Sequence, residues 1–248
     1  MIKRRVNKIL KQFGLQISRI PQKQVNSHAN PIDSMYAGMT RGKQTSIQPA
    51  TIIDVGAASG DWTKKALTLW PEAEYVLFEP LLEREQVLAA FAAVNRNIHI
   101  VKAAAGDKPG EIPFSVTDDL DGSGIADPAT QKNYRSIPVT TIDGEIERLK
   151  LKGPYLLKLD THGYEVPILI GADNTLKQAQ LVIIECYGFQ IASGSLLFWE
   201  MCRLMQEKGF RLYDIVDIMR RKKDQAFWQC DAFFIPSTST IFDSNTYR

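Results

Sequence analysis

Four acidic residues close apolar runs in this chain. They are Asp54 in Thr51-Ile52-Ile53-Asp54-Val55, Glu79 after Val76-Leu77-Phe78, Asp160 after Leu157-Lys158-Leu159, and Glu185 after Val182-Ile183-Ile184. His162 and Glu165 follow close behind Asp160. Carboxylates accept charge-assisted hydrogen bonds, ribose hydroxyls among their donors. An imidazole, with an unperturbed pKa of about 6.5, suits removal of a hydroxyl proton near neutral pH. His162 is therefore a candidate general base, oriented by Asp160 or Glu165. The plain alternative is a polar residue that shapes the turn or only binds substrate. Asp160, His162 and Glu185 could also gather as mixed oxygen and nitrogen metal ligands. No dense ligand motif supports that arrangement, and no metal is predicted.

These acids meet only if one sheet carries them on one edge. From Thr51 the pattern alternates between strands and helices. Thr51–Val55, Tyr75–Phe78, His99–Ala104, Tyr155–Leu159 and Leu181–Glu185 read as buried strands. Helices are expected near Trp62–Leu69, Leu82–Ala93, Ile142–Leu149, Val166–Leu169 and Leu196–Lys208. Glu111–Thr117 reads as an added strand, Ile137–Thr140 as a short extended piece, and Asp118–Gly124 as a mobile loop. The last strands, Phe210–Val216 and Asp231–Ile235, flank the basic turn Arg220-Arg221-Lys222-Lys223. Too few residues join them for a crossover helix, so they should pair antiparallel. The expected fold is α/β, with a seven-stranded, mostly parallel sheet, a C-terminal antiparallel hairpin and helices on both faces. In such sheets ligands bind beyond the C-terminal ends of the strands.

Between the first two strands lies the turn Gly56-Ala57-Ala58-Ser59-Gly60. A dinucleotide fold would use G-x-G-x-x-G to approach a pyrophosphate, and the middle glycine is missing. No P-loop motif occurs either. The expected ligand is a nucleoside without a phosphate chain, which S-adenosylmethionine satisfies. Gly56 would let the backbone approach its methionine part. Glu79 would accept from both ribose hydroxyls. Candidate cofactor contacts are Asp54, Gly56, Ala57, Gly60, Trp62, Glu79, Pro80, Gly106, Asp107 and Asp160. Asp107 could accept from the adenine amino group, although Gly106-Asp107-Lys108-Pro109-Gly110 is equally good turn chemistry. Trp62 could cover the cofactor, although an aromatic early in a helix is more often core.

The chain has 248 residues, 44% of them hydrophobic and 23% charged, with a net charge of +2. This is the composition of a globular domain with a full-sized core. The first thirty-two residues hold seven basic residues and no acid, leaving 23 basic against 28 acidic in the remainder. That remainder lacks the basic excess of a nucleic-acid binder. Residues 2–15 have helical apolar spacing with a cationic face, which could touch an anionic membrane surface or a partner, or pack on the domain. Three scattered cysteines, no secretory leader and no membrane-length apolar run point to a cytoplasmic protein with free thiols. The organisation expected is a basic helical extension and linker over 1–48, a catalytic domain over 49–238 and a tail over 239–248. The sequence leaves the oligomeric state open.

Four segments resemble the FkbM family of S-adenosylmethionine-dependent methyltransferases. They are Ile53-Asp54-Val55-Gly56-Ala57, Phe78-Glu79-Pro80, Ala104-Ala105-Gly106-Asp107, and Leu157-Lys158-Leu159-Asp160-Thr161-His162-Gly163-Tyr164-Glu165 followed by Gly171-Ala172. The resemblance runs from about Thr51 to Pro236 and implies a Rossmann-like class I methyltransferase fold. It further implies methyl transfer, typically to oxygen on a sugar, glycan or natural product. The chain departs from the family pattern at His162, where many members have Glu. His162, Asp160 and Glu165 are the expected catalytic residues, and Tyr164, Glu185 and Tyr187 the expected substrate contacts. The 118–124 loop and Ser193–Ser195 also have the composition to recognise a polyol. A small-molecule or carbohydrate acceptor is expected, and no nucleic acid. Competing readings are an NAD-dependent oxidoreductase and a non-catalytic nucleoside-binding module.

Overall fold

The computed structural model describes residues 31–127 and 133–247. The basic segment over 2–15 lies outside the described residues. The first described helix, α1 (Met35–Gln44), is capped by the Ser34 hydroxyl, which accepts from the Ala37 amide at 3.4 Å. Alternation of strand and helix follows: β1 (Thr51–Val55), α2 (Asp61–Leu69), β2 (Glu74–Phe78), α3 (Leu82–Val94) and β3 (Ile98–Val101). Four short strands come next: β4 (Ala104–Ala105), β5 (Gly110–Ser115), β6 (Gly124–Ile125) and β7 (Arg135–Thr140). Then come α4 (Ile142–Leu149), β8 (Tyr155–Leu159), α5 (Glu165–Ile170), α6 (Asp173–Leu176) and β9 (Ala179–Tyr187). The chain closes with α7 (Phe198–Glu207), β10 (Phe210–Arg220) and β11 (Phe227–Pro236).

The main sheet has seven strands in the order β10-β11-β9-β8-β1-β2-β3. β3, β2, β1, β8 and β9 pair in parallel, and β11 and β10 run antiparallel at the far edge. This is the expected Rossmann-like class I architecture. From β1 the chain first builds outward through β2 and β3, then returns to place β8 on the other side. The order reverses there, and such a switch point opens a crevice at the strand ends.

Strand side chains alternate between faces. Ile53, Val55, Leu157, Leu159, Val182 and Ile184 belong to one buried cluster. Ile52, Leu156, Leu181, Ile183 and Phe233 belong to another, with Met39 of α1 and Trp70. Gly38 lets α1 lie against this second face, since a Cβ there would stand 2.8 Å from the Phe233 ring. Residues that sequence reading placed in the extension are thus part of the domain's packing. Asp54 and Lys158, by alternation, point into the same face.

Sequence reading ran the third strand on to Ala104 as one piece. The structure breaks it: β4 leaves the main sheet and opens a second, four-stranded sheet of order β4-β7-β5-β6. Glu111–Thr117 and Ile137–Thr140, read as separate extended pieces, are the antiparallel pair β5 and β7. The segment read as a mobile loop includes the start of β6. This small sheet has its own apolar cluster of Leu81, Ala104, Phe114, Ile137 and Val139. Among the described residues no helix is long and apolar enough to cross a membrane.

Candidate active site

A cavity of about 300 Å³ opens at the C-terminal ends of β1, β2, β8 and β9. The small sheet and the turn before β6 form its other wall, through Phe114, Leu120, Asp121, Ser123, Gly124 and Ile125.

One end of the cavity is made by the turn after β1. Gly56 and Ala57 both donate their amides to the Phe78 carbonyl at 3.1 Å, locking the turn onto β2. Gly56 has φ +80°, and a Cβ there would stand 2.0 Å from the Asp160 carbonyl oxygen. Its glycine is thus required by the neighbouring strand end, a reason different from the ligand approach expected from sequence. Glu79 faces this turn and is 8% exposed. Its carboxylate accepts from the Ala58 amide at 2.8 Å and from the Leu81 amide at 2.9 Å. Burial pushes its pKa up from the ordinary value, against those amides and the Arg84 charge. Each carboxylate oxygen keeps a lone pair for a further donor. Arg84 bridges outward, donating to the Ser59 hydroxyl at 2.7 Å and to Asp121 at 2.5 Å.

The other end collects charged groups from β8 and β9. Asp160 follows β8, and Lys158 donates to its Oδ2 at 2.9 Å. Burial works to raise Asp160, but the Lys158 ammonium outweighs it and holds the carboxyl below its ordinary value. His162 sits in a tight turn at φ +54°. Its Nδ1 is 3.3 Å from the Ser123 carbonyl, and its Nε2 is 3.6 Å from Asp160 Oδ1 and 3.7 Å from Glu185 Oε2. Glu185 ends deep in the cavity and accepts from the Tyr187 hydroxyl and the Gln229 amide. Burial, reinforced by the Asp160 charge, pushes Glu185 up to about 8.

The remaining predicted residues divide. Gly56, Glu79, Pro80, Asp160, His162, Tyr164 and Glu185 line the cavity. Asp54, Ala57, Gly60, Trp62, Gly106, Asp107, Glu165 and Tyr187 do not. Asp54 is fully buried beneath the turn, where the Thr63 hydroxyl donates to Oδ2 at 2.6 Å and Lys158 Nζ is 3.5 Å from Oδ1. Alternation along β1 turns its side chain away from the cavity. Glu165 closes the turn, accepting from the Thr161 hydroxyl at 3.1 Å and the Gly163 amide at 3.0 Å. The carboxyls beside the His162 ring are those of Asp160 and Glu185. Gly60 starts α2 in the left-handed region. Gly106 packs against Val139, and Asp107 is exposed. Trp62 lies with the second core face, and Tyr187 reaches the site only through Glu185. Ser195 closes a local turn on Ala192.

Sequence reasoning gave no role to Lys158, Arg84 or Gln229, and gave Ser123 one only as part of the 118–124 loop. Lys158 had a signal, a lone cation within an apolar strand, where an unpaired charge is too costly to bury. Arg84 had none.

A model of the methyltransferase FkbM domain matches residues 54–212. The chain belongs to the FkbM methyltransferase family. The FkbM match begins at Asp54 and spans both ends of the cavity. Solved structures of similar fold include methyltransferase FkbM from Methylobacillus flagellatus KT, at 18% identity and TM-score 0.48, over 74% of this chain and 43% of that one. This FkbM protein thus spans less than half the length of that relative. Others are the Methanococcus jannaschii fibrillarin pre-rRNA processing protein (15% identity, TM-score 0.47, 76% and 66% covered) and the N-methyltransferase NodS from Bradyrhizobium japonicum WM9 (9%, 0.46, 81% and 93%). No curated protein matches the FkbM chain in sequence.

Proposed function

We propose that this protein transfers a methyl group from S-adenosylmethionine to a hydroxyl oxygen of a sugar, glycan or other polyoxygenated small molecule. The observation that carries the reading is one cavity joining the Gly56–Glu79 turn to the corner of Asp160, His162 and Glu185. When bound, the cofactor supplies an electrophilic methyl on a sulfonium. Glu79 meets its ribose hydroxyls with the lone pairs that the Ala58 and Leu81 amides leave free. The turn amides themselves are spent on Phe78, so recognition there rests on shape and on Glu79. The acceptor oxygen lies toward the corner, and Phe114, Leu120 and Ile125 form the apolar wall beside it. The corner would lie where the hydroxyl proton has to leave as the methyl is transferred. Positioning of this kind lowers the barrier chiefly by fixing the attack line.

The test is calorimetry on the full chain with S-adenosylhomocysteine and NAD in parallel, followed by methyl-transfer assays over polyol acceptors. Binding of the first and not the second, with product gaining one methyl, is the expected result. Binding of NAD alone would replace this reading with an oxidoreductase. Tight cofactor binding without transfer to any acceptor would favour a binding module.

A further inference from the structure

A ring nitrogen and two carboxyl oxygens face one another across the corner. The Ser123 carbonyl holds Nδ1 of His162 as the donor nitrogen, so that the neutral ring carries its lone pair on Nε2. That lone pair faces Oδ1 of Asp160 and Oε2 of Glu185, at 3.6 and 3.7 Å. These separations are too long for hydrogen bonds. One ligand atom from each residue lies within 4.8 Å of the other two. A point equidistant from such a triangle is about 2.0–2.4 Å from each atom, the span of metal–nitrogen and metal–oxygen bonds.

The surroundings hold the three atoms in that arrangement. Lys158 takes the far oxygen of Asp160, while Tyr187 and Gln229 fix Glu185. An imidazole whose second nitrogen is tied to a backbone carbonyl is the recurrent outer-shell pattern of metal-bound histidine.

We propose that Asp160, His162 and Glu185 bind one divalent transition-metal cation, which chelates the acceptor through two adjacent oxygens. Two carboxylate oxygens and one imidazole nitrogen suit manganese or zinc better than a soft ion. The proposal rests on the methyltransferase reading for its role, since the cation explains how the corner disposes of the hydroxyl proton. A hydroxyl brought against a divalent ion becomes more acidic, and its proton passes to water. The oxygen then takes the methyl as the carbon–sulfur bond breaks. His162 is a ligand in this scheme, and the acceptor class narrows to vicinal diols and hydroxy acids.

The experiment is titration of the full chain with Mn²⁺, followed by electron paramagnetic resonance and by competition with Zn²⁺. His162→Ala and Glu185→Gln are titrated beside it. S-adenosylhomocysteine binding is measured on all three proteins as a check of folding. One Mn²⁺ per chain, with affinity falling at least about tenfold in each variant while S-adenosylhomocysteine affinity holds, is the expected result. No saturable Mn²⁺ or Zn²⁺ binding by a chain that binds S-adenosylhomocysteine would overturn the ion site and leave the methyltransferase reading standing. Mn²⁺ binding indifferent to both substitutions would also overturn it. Ion binding lost in both variants of a chain that ignores S-adenosylhomocysteine would uphold the ion site and sink the methyltransferase reading.

Discussion

The two ends of the cavity are built on opposite principles. The Gly56–Glu79 end is backbone wired to backbone: the turn amides donate to Phe78, and Glu79 is held by two further amides. The Asp160–His162–Glu185 end is side chain facing side chain, two carboxyls and an imidazole turned toward one another. The first can be complete before any ligand arrives. The second is complete only when something positive enters it, whether a proton or a cation. A conserved scaffold for one common cofactor and a variable end for the acceptor would follow from that division of labour.

Substitutions can break the comparison end by end. The largest effect is expected from Gly56→Ala. Its Cβ would stand 2.0 Å from a backbone oxygen at φ +80°, so the turn or the end of β8 must move. A loss of about 3 kcal/mol or more is expected in urea unfolding, with S-adenosylhomocysteine binding abolished. Normal binding by this variant would show the turn to be far more pliant than its hydrogen bonds imply.

Next is His162→Ala. Methyl transfer should fall by about 100-fold, because one of the three groups that hold the cation against the reacting hydroxyl is gone. Cofactor affinity should hold, because His162 belongs to the other end. Parallel turnover and calorimetry measure the split, and equal losses in both would erase the distinction.

Glu79→Gln should weaken S-adenosylhomocysteine about tenfold, by removing a charged acceptor. A pH series sharpens the point. Burial raises the Glu79 carboxyl above its ordinary value, so it takes up a proton at milder acidity than an exposed glutamate. Cofactor affinity in the wild type should therefore fall as pH is lowered through that raised value, and recover above it. The Gln variant should lose this component of the pH dependence. Affinity that rises on acidification would have the sign wrong.

The smallest effect is expected from Asp121→Ala. Its carboxylate is largely exposed, with Arg84 as partner. The melting temperature should move by no more than about 1 kcal/mol's worth of stability, as for surface ion pairs generally.

The same contrast explains what sequence could reveal. β1, the glycine turn and β2 are local in the chain, so apolar runs and two glycines were enough to place the Glu79 end. Asp54 was misplaced by the same reading, because one step along a strand reverses the face. Asp54 belongs with Ile52 on the packed side, beneath Thr63. The corner was only partly legible. Asp160 and His162 are neighbours in sequence, but their approach to Glu185 depends on β8 and β9 pairing in one register. Of the small sheet, β5 and β7 were legible as extended pieces but their pairing was not, and β4 and β6 have two residues each and draw their order from partners far along the chain. Glu165 looked like an orienting acid by spacing alone, yet the Gly163 amide and Thr161 hydroxyl claim it.

Arg84 holds Asp121, and two residues later the Ser123 carbonyl holds the His162 ring. The 118–124 turn therefore touches both ends of the cavity, the Glu79 end through Arg84 and Ser59 and the Asp160–Glu185 corner through His162.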